Sequence, residues 1–103
     1  MIIELRRGTL TLAVLSQLNE PQYGYSLLQR LEGKSVQIEA NTLYPLMRRL
    51  ESQGLLENSW DTSSARPRKY YVLSETGREI FEALKKEWQS TCTGIDNLLK
   101  EEY

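Results

Sequence analysis

Tyr44 and Arg48 stand four residues apart in the segment Asn41-Thr42-Leu43-Tyr44-Pro45-Leu46-Met47-Arg48-Arg49-Leu50, so on a helix an aromatic edge and a guanidinium project together. Leu43, Leu46, Met47 and Leu50 fall at i, i+3, i+4 and i+7, a single stripe suited to a core. The other side of that helix then presents Asn41, Thr42, Tyr44, Pro45, Arg48 and Arg49. A guanidinium can bind guanine bidentately or pair with phosphate, and Tyr and Thr hydroxyls commonly bond phosphates. Further along, Arg66, Arg68 and Lys69 form a second basic group, whose phosphate contacts would add affinity more than sequence choice. On charge alone, Arg48 and Arg49 fit equally well as a solvated face paired with Glu51 or Glu57.

Other chemistries find little to work with. The chain has no histidine, which removes the commonest general base and the commonest metal ligand. With Cys92 as the single cysteine, a zinc site would rest on carboxylates, which zinc seldom takes as main ligands. Gly-rich phosphate loops, nucleophile elbows and H-E-x-x-H pairs are missing, so no enzyme, metal or cofactor is expected. Cys92 falls mid-helix without a basic neighbour to lower its pKa, and is expected to be inert. The N-terminal residues lack the pattern of a signal peptide and no apolar run approaches a membrane span, so a cytoplasmic location is expected. The net charge is only −1, but residues 41–70 carry five basic residues against three acidic ones, while residues 71–103 carry four against seven. The positive field is local to the middle of the chain.

Positioning that cluster falls to a short series of elements, within a length that fits one modest core. A first helix is expected from about Arg6 or Thr9 to Leu18, with Leu10, Val14 and Leu18 four apart and Leu12 and Leu15 widening the stripe. Asn19-Glu20-Pro21-Gln22 reads as a turn. A second helix from about Gly24 puts Tyr25, Leu28 and Leu31 on one face and ends at Gly33. Val36 and Ile38 then form either a short strand or an anchoring connection. Thr42 is the expected N-cap of the third helix, because it sets Pro45 third in the helix, where a missing N–H costs nothing. Gly54 suits the left-handed position after that helix and brings Leu55 back against Leu50. Leu55 to Trp60 and Lys69 to Leu73 read as a hairpin with a polar tip, with Trp60 in its core rather than stacking on a base, and one of Tyr70 and Tyr71 facing inward while the other is free to face DNA.

Ser74 is the expected cap of a last helix running to about Glu102. Phe81, Leu84, Trp88, Thr91, Ile95 and Leu98 alternate three and four apart, a coiled-coil-like seam. Such a helix, about 42 Å long, would overhang a body about 25 Å across and leave Ile95, Leu98 and Leu99 bare. A second copy of the chain is the simplest cover, and Gly94 is where the helix would kink or stop. The expected fold is mainly α with a small β-hairpin. It is a winged helix-turn-helix over residues 1–74 followed by a C-terminal dimerisation helix over 75–103.

The motifs Leu5-Arg6-Arg7-Gly8-Thr9-Leu10, Tyr23-Gly24-Tyr25, Thr42-Leu43-Tyr44-Pro45-Leu46, Arg49-Leu50-Glu51, Gly54-Leu55 and Arg66-Pro67-Arg68-Lys69-Tyr70-Tyr71 occur in this order. In that combination the chain resembles PadR-type transcriptional regulators, departing at Asn41, where the family often has glycine. The resemblance implies a dimeric repressor of palindromic operators in double-stranded DNA, whose C-terminal helix packs against the partner's first helix. On that reading the interface takes Leu84, Trp88, Thr91, Ile95, Leu98 and Leu99. Some relatives release DNA when an aromatic ligand enters the dimer. Trp88, with Phe81 near it, then stands either as a dimer-core residue or as a stacking partner for such an effector. The rival reading is a winged-helix adaptor for proteins or ligands that never touches DNA, supported by the acidic last third of the chain.

Overall fold

The computed structural model describes the backbone of residues 2–101 and the side chains of residues 8–101. The elements run α1 (Ile2–Ser16), β1 (Gln22–Tyr23), α2 (Gly24–Gly33), α3 (Ala40–Ser52), β2 (Leu56–Asp61), β3 (Arg68–Leu73) and α4 (Glu75–Leu99). The strands form one antiparallel sheet in the order β1-β3-β2. Three helices stack on its inner face and close around Leu15, Leu18, Leu27, Leu43 and Met47, all essentially inaccessible to solvent. This is the winged helix-turn-helix, with a fourth helix leading away from it. No helix among the described residues is long and apolar enough to cross a membrane.

Several local expectations shift. The first helix starts earlier than expected, at Ile2, and ends at Ser16, leaving Leu18 to plug the core from the turn that follows. The side chains of Leu5, Arg6 and Arg7 lie outside the described residues. Gln22, expected in a turn, opens a strand with Tyr23 that pairs with Tyr71 and Tyr70. Two residues show no alternation, and the strand exists because β3 offers it an edge. The buried face of α2 is Leu27 and Leu31, with Tyr25 exposed, one residue out of phase with the expected Tyr25-Leu28-Leu31 face. That helix is closed by Ser35 at φ 65°, not by Gly33: Ser35 N–H donates to Glu32 at 3.0 Å and Val36 N–H to Leu31 at 2.9 Å. Val36 and Ile38 form no strand and anchor the connection, Ile38 being buried.

The expected cap at Thr42 is replaced by Glu39, whose carbonyl accepts from Thr42 N–H at 3.0 Å and Leu43 N–H at 2.9 Å. Pro45 therefore sits inside the helix, where its ring leaves the Asn41 carbonyl without the usual helical donor. Asn41 is exposed, so water can meet that need. At the other end the Schellman closure forms as expected. Gly54, at φ 79°, donates to Glu51 at 2.9 Å and Leu55 to Leu50 at 3.0 Å.

Ser74 caps α4 as expected, accepting from Gly77 N–H at 2.9 Å. Its hydroxyl also donates to the Gly54 carbonyl at 2.6 Å, tying α4 to the end of α3. The helix passes Gly94 unbroken and ends at Leu99; Glu102 lies outside the described residues. Trp60 departs furthest from expectation. It is 60% exposed, because it lies toward the tip of the hairpin, beyond the part of β2 that the core reaches.

Candidate nucleic-acid interface

The buried stripe of α3 is the expected Leu43, Leu46, Met47 and Leu50, and it turns the opposite side of the helix outward. Asn41, Thr42, Pro45, Arg48 and Arg49 are exposed, and Tyr44 is half-buried. Neither arginine is held by a carboxylate among the described residues. Glu51, the expected partner, is taken by Lys69, whose Nζ lies 3.0 Å from its Oε1. Asn58 donates to the other oxygen of the same carboxylate. The Lys69 hydrogen bond holds the Glu51 carboxyl below its ordinary pKa of 4.5, and the same bond raises that of Lys69. Lys69 also lies 4.9 Å from the centre of the Tyr71 ring. Of the expected cations, Lys69 is thus the one held in a salt bridge among the described residues.

Tyr44, Arg48, Arg68 and Lys69 line one groove of about 280 Å³, together with Tyr23, Gly24, Tyr25, Met47 and Tyr71. Arg68 stacks over Tyr23 at 4.7 Å, and Tyr23 meets Tyr70 edge to face, which fixes the direction of the guanidinium. Gly24 makes room for Tyr44: a Cβ there would fall 2.7 Å from the Tyr44 ring. The motif Tyr23-Gly24-Tyr25 thus belongs to the site, a place that its sequence alone does not assign. The available signal was the glycine between two tyrosines at a helix start, a spacing that lets one ring lie close against backbone. Arg66 stands apart in the tip, where Asp61 accepts from Ser63 N–H at 2.9 Å and from its hydroxyl at 2.6 Å. Those two bonds lower the pKa of Asp61. Arg49 and Pro45 do not line the groove.

A second groove, about 300 Å³ and almost wholly apolar, lies between α1 and α4. Phe81 and Trp88 both line it, with Leu12, Ala13 and Lys85. Farther along α4, Ile95, Leu98 and Leu99 are exposed, as is much of Trp88. Leu84 is half-buried and Thr91 exposed. Among the described residues no cluster of His, Cys, Asp and Glu could hold a metal ion.

An outward-facing polar helix on an apolar core, a two-stranded wing beside it and a trailing helix define a winged-helix DNA-binding fold. The chain belongs to the PadR-like family of transcriptional regulators, whose model matches residues 11–83. It is similar to the crystal structure of a PadR family transcriptional regulator from Eggerthella lenta. The two share 51% identity over 99% of this chain and 91% of that one, with a TM-score of 0.88. A PadR-like transcriptional regulator from Bacillus cereus is 29% identical over 96% and 99% of the two chains, with a TM-score of 0.84. An uncharacterized protein of Lysinibacillus sphaericus is 33% identical over 98 residues, with 90% of each chain covered.

Proposed function

We propose that this PadR-family regulator is a repressor. A homodimer would grip a palindromic operator through α3 and the wing, and release it when a small aromatic molecule enters the groove beneath Trp88. The observation that carries the DNA reading is the freedom of Arg48 and Arg49 on the outward side of α3, with Arg68 aimed into the same groove as Arg48. Asn41, Thr42, Tyr44 and Pro45 lie at the leading end of that helix, where base edges are read. Arg66, Arg68 and, more weakly, Lys69 supply phosphate contacts from the wing. Dimerisation is supported by the bare seam on α4: Leu84, Trp88, Thr91, Ile95, Leu98 and Leu99 follow one line, and Ile95, Leu98 and Leu99 are 48%, 60% and 76% exposed. The apolar groove lined by Phe81 and Trp88 supports the effector, since it offers two rings to stack against and almost no polar surface. Such a regulator works in the cytoplasm, beside the DNA it reads.

The test is selection of duplexes from a random pool by the purified chain, followed by titration of the selected duplex and a scrambled one at two salt concentrations. Preference for a palindrome, two chains per site and a steep salt dependence would support the reading. Equal and weak binding to both duplexes would sink it in favour of the adaptor.

A further inference from the structure

We infer that the side of the wing facing α3 is a further contact with the DNA backbone, made by Trp60; the inference rests on the DNA-binding reading above. Side chains alternate between the two faces of a hairpin. The pairings Leu56↔Leu73, Asn58↔Tyr71 and Trp60↔Lys69 put these six residues on one face. Leu56, Tyr71 and Leu73 are buried, so this is the face turned toward the body of the domain. Farther out, Lys69 and Asn58 both reach Glu51 on α3. Trp60 is the next residue outward on that face, and it is 60% exposed.

The charges sort by face as well. Glu57 and Asp61, the acidic residues of β2, fall on the opposite face. Glu51, the carboxylate on the near side, is neutralised by Lys69. Among the described residues, an indole therefore stands in a strip without an unpaired carboxylate, beside the helix whose Arg48 and Arg49 form no salt bridge. Exposing so large a ring gains the fold little, and its shape suits a surface that is apolar at one end and wet at the other. A duplex seated on α3 brings one sugar–phosphate strand past this strip. The indole face packs on a deoxyribose and Nε1–H donates to a phosphate oxygen, a contact that sets position without reading bases.

The test labels the full chain with 5-fluorotryptophan, which gives one fluorine signal for each of the two tryptophans, and assigns Trp60 by Trp60→Phe. Saturation with the selected duplex should shift the Trp60 signal and shield it from a soluble paramagnetic probe. Trp60→Ala should lower affinity about tenfold, equally for the selected and the scrambled duplex, with the salt slope unchanged because an indole carries no charge. Trp60→Phe should fall between, keeping the packing and losing the donor. A saturated complex in which the Trp60 signal stays unmoved and Trp60→Ala binds normally overturns the inference and leaves the DNA reading standing. A loss confined to the selected duplex overturns the backbone assignment in favour of base reading. Shielding of Trp60 by raising protein concentration alone assigns the face to a second copy of the chain. Failure of every duplex to bind removes both readings together.

Discussion

Arg48 and Lys69 line the same groove, yet they are held differently, and the difference predicts different mutants. Arg48 has no carboxylate partner among the described residues, so Arg48→Ala should weaken binding to the selected duplex by about 1–3 kcal/mol if it reads a base, with sedimentation unchanged from wild type. Unchanged affinity would take Arg48 off the interface. Lys69 is paired with Glu51, and Glu51→Gln should release its charge. Affinity then rises, and the slope of log affinity against log salt steepens by about one as Lys69 reaches a phosphate. The same substitution has a pH signature. A carboxyl held below its ordinary 4.5 stabilises the fold above that value, and the contribution fades as pH falls through its lowered pKa. Wild type should therefore exceed Glu51→Gln by less than about 1 kcal/mol at neutral pH, and the two denaturation curves should converge in acid. The outward direction of Arg48 was legible in the sequence, because a 3.6-residue period fixes both sides of a helix at once. The fate of Lys69 was not, because its partner lies 18 residues away and meets it only when the wing folds against α3.

Helix ends make the same point at the scale of elements. Gly54 and Ser74 were readable because the residue types are the ones that left-handed closure and N-capping favour. Ser35 was not, since it takes φ 65° in a role that usually falls to glycine, while the nearby Gly33 stays within the helix. Ser35→Gly should therefore stabilise the fold by about 1 kcal/mol, visible as a higher denaturation midpoint, and an unchanged midpoint would show that the strain is relieved elsewhere. Gly77 has the opposite character. A Cβ there would lie 2.0 Å from the Leu55 carbonyl oxygen, which belongs to backbone and cannot swing aside. Ser74 N–H donates to that same carbonyl at 3.0 Å, and the Arg78 guanidinium reaches the Asn19 carbonyl at 3.4 Å, so the start of α4 is clamped between two turns. Gly77→Ala should cost about 3 kcal/mol or more and loosen α4 from the end of α3. Its effect on DNA binding should exceed that of Ser74→Ala, which removes a cap worth about 1 kcal/mol without forcing the helix away. The sequence shows this clamp only as Gly77, because a close approach between two backbones leaves one glycine as its trace and names no partner.

For the molecule as a whole, the decisive quantity is length. Its extents are 62 × 26 × 21 Å, and its radius of gyration of 15.8 Å exceeds the roughly 13 Å of a compact chain this size. The excess is α4, whose 25 residues span about 37 Å. The early part of the helix lies against α1, where Phe81 and Leu84 pack on the core. Beyond Trp88, among the described residues, Ile95, Leu98 and Leu99 stay exposed along its apolar side. This overhang was visible in the sequence, because a seam longer than the body it leaves can be measured from spacing alone. Burying Leu98 and Leu99 in a symmetric contact would contribute about 1.5–3 kcal/mol for each side chain, counted twice by symmetry. Leu98→Asp would place a carboxylate, and its symmetry mate, inside that apolar contact. Sedimentation should then find monomers, with the helical signal near the end of α4 reduced and the winged-helix body still folded. Each monomer keeps Arg48, Arg49 and Arg68, but the linkage between two half-sites is gone. Affinity for a full palindrome should fall to about that for an isolated half-site. A Leu98→Asp protein that still sediments as a dimer would move the interface off the seam and leave Leu98 and Leu99 without a role in assembly.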